Sequence, residues 1–280
     1  MTGAGSRGAA AVLGRVFALP QRVGRALPRP LKAALTSGIC HPAVGRAIGA
    51  AFAQRIPCRG IPISTADASV TDRTRAQLFW GMYESAEIRS VRRHLDPRLD
   101  LVELGSSIGV VSCHARRRLQ PDRRIVCVEA NPRLIPLLSA NLRANAPGRS
   151  VSVVQGAIDY TATTGEVSLE FGADSTGSRV VAGPTRAATR VRTTTLSELV
   201  RDQHLGEFAL IADIEGAEAG IFLDDPGALT GCKQIIAELH ATQHRGISYS
   251  PEDLAGILVA RGYRILGRDG GVWSFAAPAA

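Results

Sequence analysis

Acidic residues are missing from the first 66 positions, where nine Arg and Lys side chains stand without a single Asp or Glu. The rest of the chain holds 24 basic against 25 acidic residues, so the whole formal excess of +8 belongs to this arm. So basic a balance raises nucleic acid as a partner, but the near-neutral remainder speaks against RNA or DNA as substrate. Apolar runs long enough to span a membrane are also absent. Arg15 breaks the one candidate signal-peptide run, Ala9 to Leu19. The five cysteines, Cys40, Cys58, Cys113, Cys127 and Cys232, form an odd set with no Cys-x-x-Cys spacing. They read as buried thiols in a reducing compartment, which makes the cytoplasm the expected location.

One more absence falls at the centre of the chain. The run Leu101-Val102-Glu103-Leu104-Gly105-Ser106-Ser107-Ile108-Gly109 lacks the Gly-x-Gly-x-x-Gly that cradles a dinucleotide pyrophosphate. What stands there is an apolar run ending in a carboxylate, a Gly-x-x-x-Gly turn, and a helical pattern from Val110 to Leu119. This predicts a buried strand, a tight loop and a helix of a doubly wound α/β sheet. The next apolar run, Arg124 to Val128, ends in Glu129, 20 residues past Gly109. An acid at that strand tip is placed to accept hydrogen bonds from ribose hydroxyls. The series points to a nucleoside without phosphates, and S-adenosylmethionine is the common ligand of that kind. Glu103, Gly105, Ser106, Ser107, Gly109, Glu129 and Ala130 are its candidate contacts.

At 280 residues, with 45% hydrophobic and 21% charged content, the chain has room for one large globular domain and an extension. We divide it into a basic Ala/Arg/Pro-rich arm (1–66), a helical lead-in (67–99) and the main domain (100–280). In the arm, Ala10-Val12-Leu13-Val16-Phe17 and Val44-Ile48-Ala51-Phe52 have helical spacing. Short packed helices, a disordered tail and an amphipathic anchor at an anionic membrane surface are its three readings. Ile61 to Ser64 reads as a short strand, and Thr71 to Leu95 as helix with a break near Gly81. Tyr83, Glu84 and Glu87 then fall where they could line the mouth of a site.

From Leu101 onward strand and helix alternate. A helix through Asn145, a strand at Val151 to Val154 and the loop Gln155 to Asp159 follow, with Ala157 and Ile158 as candidate adenine contacts. Residues 160–194 hold two strands around a polar loop at Asp174-Ser175-Thr176. Thr195 to Glu198 is a capping box opening a helix. The fourth strand, Phe208 to Ala212, ends in Asp213-Ile214-Glu215-Gly216-Ala217-Glu218, and the fifth, Lys233 to Ala237, in Glu238-Leu239-His240. Ser250-Pro251 opens a last helix, and a hairpin turns at Asp269-Gly270-Gly271.

Together these segments resemble the FkbM-type family of S-adenosylmethionine-dependent methyltransferases. The matching pieces are Tyr83-Glu84, Val102 to Gly109, Val128-Glu129-Ala130-Asn131-Pro132, Thr193 to Leu196, Asp213 to Glu218 and Glu238 to His240. The resemblance covers about residues 80–276 and leaves the arm outside it. It implies a seven-stranded class I methyltransferase fold; with the helical segments and the hairpin read above, the expected architecture is a Rossmann-like, doubly wound, mostly parallel sheet with an antiparallel C-terminal hairpin and an N-terminal helical extension. It also implies methylation of a hydroxyl on a sugar or natural product.

Methyl transfer to an alcohol needs an in-line approach and a base. His240, whose ordinary pKa lies near working pH, is the candidate base. Asp213, Glu215 and Glu238 are candidates beside it, Asp213 also as a cofactor contact, and Glu218 with Tyr83 and Glu84 as substrate contacts. Asp213, Glu238 and His240, with His244 near, could instead hold a divalent ion such as magnesium. Partners are then a small-molecule or glycan acceptor, with no nucleic acid. A non-catalytic nucleoside-binding or interaction module on the same fold, and a nicotinamide-dependent oxidoreductase, stand as alternatives.

Overall fold

The computed structural model describes residues 35–172, 178–180 and 188–278, and these divide into two compact units between Tyr83 and Glu84. The helical spacing at residues 10–17 and the polar loop at 174–176 lie outside the described residues. Among the described residues no helix is long and apolar enough to cross a membrane.

The first unit is held by one close helix contact and one hairpin. Helix α1 (Pro42–Ala51) starts at a proline, with the His41 ring accepting the Ala43 N–H at 3.2 Å. Helix α2 (Asp72–Phe79) is capped by Thr71. A Cβ on Gly45 would lie 1.6 Å from the Asp72 carbonyl oxygen, so only glycine admits this approach of α1 to α2. Strands β1 (Arg55–Cys58) and β2 (Ile61–Ser64) pair through a turn whose two residues, Arg59 and Gly60, both have positive φ. That is the turn whose twist matches an antiparallel pair. The Arg59 guanidinium donates to the Gly81 carbonyl at 2.7 Å and ties the hairpin to the end of α2. Only β2 was legible in the sequence; β1 was masked by its Pro and Arg.

The second unit opens with α3 (Ser85–His94) and continues as β3 (Asp100–Leu104), α4 (Val110–Arg116), β4 (Ile125–Glu129), α5 (Ile135–Asn145) and β5 (Val151–Gln155). After β6 (Ala157–Ile158), β7 (Glu166–Phe171), β8 (Ser178–Val180) and β9 (Ala188–Thr194) come α6 (Leu196–Asp202), β10 (Phe208–Ala212) and α7 (Glu218–Asp224). The chain closes with β11 (Cys232–Glu238), β12 (Thr242–His244), β13 (Ile247–Tyr249), α8 (Pro251–Ala260), β14 (Arg264–Asp269) and β15 (Val272–Ala276).

Seven strands form the main sheet in the order β14-β15-β11-β10-β3-β4-β5. Neighbours from β11 to β5 are parallel, and β15 runs antiparallel to both β11 and β14. Every residue of β3, β4 and β10 is buried, as strands covered on both faces must be. On one face Val102, Leu104, Val126, Val128, Phe208, Leu210 and Ala212 join Phe222, Leu254 and Phe275 in one core. A second sheet, β6-β9-β7-β8, accounts for the interruption at 160–194.

The expected helix from Asn131 starts later, at Ile135, because the Asn131 side chain accepts the Arg133 N–H and makes a turn first. The expected break near Gly81 is real: Gly81 and Glu84 both have positive φ, separating α2 from α3. The hairpin β12–β13 was not anticipated. Its three-residue strands are too short and polar to give an alternation signal.

Candidate active site

The strand tips carry two groups of carboxylates, the first buried and the second running from buried Glu218 to exposed Glu215. At the first, β3 leads into Gly105, whose N–H and that of Ser106 both reach the Val128 carbonyl at 3.0 Å. Gly105 has φ +81°, and a Cβ there would lie 2.0 Å from the Asp213 backbone oxygen. The bare backbone is therefore needed by the neighbouring strand end. Gly109, with φ +82°, caps α4 and faces the Leu138 side chain, 2.8 Å from where a Cβ would sit.

Glu129 at the tip of β4 clasps this loop. One carboxylate oxygen accepts the Ser107 N–H and the other the Asn131 N–H, each at 2.7 Å. Glu103 turns the other way. Its carboxyl accepts the Ser112 hydroxyl from α4 beneath the loop, and burial pushes its pKa up to about 8. Glu103, Ser106, Ser107 and Glu129 are all buried, and Ala130 is half-buried.

The second group sits at the ends of β10 and β11. His240 Nε2 lies 3.8 Å from Asp213 Oδ1 and 3.7 Å from Glu215 Oε2, while Nδ1 lies 3.4 Å from Glu218 Oε1. Glu218, 0% exposed, is fixed by the N–H groups of Ile214 (2.9 Å) and Gly216 (2.8 Å). Its contact with His240 is an ion-pair distance without hydrogen-bond alignment, so Nδ1 is buried with no formal hydrogen bond. Glu218, with Asp213 and Glu215 adding to it, holds the imidazole pKa up to about 9, and the ring is cationic near neutrality.

A further carboxylate comes from α3. Glu87, Asp213 and Glu238 each offer an oxygen within 4.8 Å of the others, and Asp213, Glu218 and His240 form a second such triad. Burial, then hydrogen bonding to Glu238, pushes Glu87 up to about 8, making it the protonated member of that pair. Burial and then Glu238 push Asp213 up to about 7. A Cβ on Gly271 would come within 2.9 Å of Glu238 Oε1, so the hairpin turn leaves room for this carboxylate.

Five of the anticipated residues thus converge: Asp213, Glu215, Glu218, Glu238 and His240. They do not form the anticipated metal trio, since Glu238 and His240 belong to different triads sharing Asp213. His244 is elsewhere, paired with Asp224 at 3.0 Å. Ala157 and Ile158 are buried in β6, where they pair with Thr193 and Thr194. Tyr83 ends the first unit and Glu84 opens the second. Glu87, expected only at the mouth of a site, is instead a buried member of the cluster. Its signal was available, because Glu87, Ser90 and Val91 share one helical face and all three are buried.

No curated protein matches this sequence. The similar solved structures are distant. An uncharacterized protein from Listeria monocytogenes serotype 4b is 10% identical over 69% of each chain, with a TM-score of 0.42. A ribosomal-protein methylase from Lactobacillus delbrueckii subsp. bulgaricus is 14% identical over 70% of this chain and 78% of its own, with a TM-score of 0.39. Magnesium protoporphyrin IX methyltransferase from Synechocystis PCC 6803, solved with bound S-adenosylmethionine, is 11% identical over 68% and 76%, with a TM-score of 0.38. The sequence model of the methyltransferase FkbM domain matches residues 104–265, more than half of the chain. With its seven-stranded, doubly wound sheet and its carboxylate-rich strand tips, the chain belongs to the FkbM methyltransferase-domain family.

Proposed function

We propose that this protein is an S-adenosylmethionine-dependent O-methyltransferase acting on a hydroxyl of a sugar or small natural-product acceptor. The observation that carries the reading is the cluster of His240, Asp213, Glu215 and Glu218 beside the Gly105 loop, on adjacent strands of the sheet. The nucleoside fits the clasped corner. Each Glu129 oxygen spends one acceptor site on a backbone N–H and keeps another for a ribose hydroxyl. When bound, S-adenosylmethionine supplies an electrophilic methyl group on a positively charged sulfur.

The chain's own residues then have to orient the acceptor and take its proton. An imidazole near its ordinary pKa would be the natural base, but His240 is held protonated by Glu218. We therefore assign the hydroxyl proton to the Asp213 carboxylate, whose pKa near 7 matches the working range. The His240 imidazolium holds that carboxylate in place, and Glu215, the more exposed acid, accepts a hydrogen bond from the acceptor.

A second reading is favoured by the Glu87–Asp213–Glu238 triad, which forms no salt bridge with Lys or Arg among the described residues. Carboxylate oxygens so grouped are the ligands a magnesium-sized cation takes. Calorimetric titration with S-adenosylhomocysteine, with and without magnesium, tests both. Micromolar binding followed by label transfer to sugars or alcohols supports the proposal, and binding that requires magnesium adds the metal. A folded protein that binds nothing in either buffer overturns it in favour of an interaction module. Displacement by NAD would favour an oxidoreductase.

A further inference from the structure

The last turn of α3 carries Arg92, Arg93 and His94 in succession. A helix C-terminus is stabilised by positive charge, but the dipole amounts to about half an elementary charge. Burial, and then Arg93, push the His94 imidazole below its ordinary pKa, so the charge here is that of the two arginines, and a third guanidinium arrives from a different element. Arg268 on the edge strand β14 faces the same groove of about 410 Å³, which Arg89 and Asp269 also line. Such density stands out in a chain that carries 24 basic and 25 acidic residues after position 66.

Two of these charges are already balanced. Arg89 grips Asp269 through two contacts, at 2.5 and 3.0 Å. Arg268 reaches Glu252 at 2.9 Å and the Gly270 carbonyl at 3.0 Å, with its guanidinium stacked 4.4 Å over the Trp273 ring. These contacts hold Arg268 in one orientation before any ligand arrives. Arg92 and Arg93 are exposed and form no ion pair among the described residues. Gly267 forms part of the floor, and a Cβ there would stand 3.1 Å from His94 Nε2.

We propose that this groove between α3 and the β14–β15 hairpin binds a phosphate monoester group. Two unneutralised guanidinium charges match a dianion. A third, immobilised guanidinium from the sheet edge supplies donors from another direction, which suits the three free oxygens of a phosphoryl group. The phosphate belongs either to a soluble phosphomonoester or to a lipid headgroup of the same chemistry. This inference does not rest on methyl transfer, and its readout is independent of it.

The test is binding of inorganic phosphate by calorimetry at low ionic strength, in the full chain, with Arg92→Ala/Arg93→Ala and Arg201→Ala compared. Both sites are on the surface, and retained folding is verified by circular dichroism. The double variant is expected to bind about tenfold more weakly or worse. Arg201→Ala, which removes an equally exposed cation outside the groove, is expected to bind as wild type. A second arm uses vesicles containing phosphatidic acid. Sedimentation with them that needs Arg92 and Arg93, and that phosphate reverses, assigns the lipid headgroup. Phosphate binding without sedimentation assigns a soluble ligand. Equal binding by the double variant, or none by folded wild type in either arm, overturns the proposal. So does an oligonucleotide that displaces phosphate and binds more tightly through the same two arginines.

Discussion

The corner at β3, α4 and β4 and the cluster at the tips of β10 and β11 both gather carboxylates, and they surround them in contrasting ways. In the corner each acid has dedicated neutral donors: Ser112 for Glu103, and the Ser107 and Asn131 N–H groups for Glu129. In the cluster Glu218 is held in the same way, by the Ile214 and Gly216 N–H groups, but Glu87, Asp213 and Glu238 face each other, and the cation beside them is a histidine. Fixed donors favour one geometry and one charge state, which suits a binding surface formed before its ligand arrives. Burial first, and then Glu238 beside them, pushes Glu87 up to about 8 and Asp213 up to about 7, which suits proton transfer. The donor-held acids and the mutually facing acids sit on adjacent strands.

The largest test of this contrast is removal of the shared member of both triads. Asp213→Asn is expected to lower kcat by about 100-fold or more while the protein stays folded. In the wild type, kcat/KM should rise as pH climbs through about 7, where Asp213 ionises. A rise near 9 instead would move the base to His240.

Next in size is the backbone contact joining the two regions. Gly105→Ala adds a Cβ against the Asp213 carbonyl at a positive φ and should cost about 3 kcal/mol in urea denaturation. Gly109→Ala meets only the movable end of Leu138 and should cost about 1–2 kcal/mol. Equal losses would mean that the strand ends are not in contact as described.

Within the corner the two acids should separate cleanly. Glu129→Ala is expected to weaken S-adenosylhomocysteine binding by about 1–3 kcal/mol. Glu103→Gln, whose side chain bonds Ser112 beneath the loop, should leave that affinity within about twofold. A larger loss at Glu103 would break the distinction between clasp and support.

The smallest effect is on stability against pH. Glu87 and Asp213 have folded pKa values raised above their ordinary 4.5 and 3.8, so their contribution is complete in acid and is lost as pH climbs toward about 8 and 7. His240, raised above 6.5, loses its contribution as pH climbs through about 9. All three act in the same direction, and Tm should fall by about 2–5 °C between pH 6 and pH 9. Glu87→Gln should flatten that fall. A Tm that rises across this range would contradict the charge-crowded picture.

Local pattern and topology carried much of this into the sequence. Alternating apolar runs and helical stretches placed the strands of the main sheet, and Phe208–Ala212 was bounded as observed. A doubly wound sheet opens its cleft at the carboxyl ends of its strands, so the residues just after each run were the candidates, and the structure brings those of the fourth and fifth strands together. Asp213, Glu215, Glu218, Glu238 and His240 were legible on that ground alone. Tertiary structure decided what surrounds each of them. Glu87 is 151 positions from Glu238, and only packing of α3 against the strand tips makes it a buried partner. Glycine at 105 answers to a backbone oxygen on another strand, and His240 is cationic because Glu218 is buried beside it. Periodicity and chain topology are properties of local sequence, so the sequence determined where the site lies. Burial, charge and close approach are set through space by segments far apart in the chain, so only the fold determined its protonation and its partners.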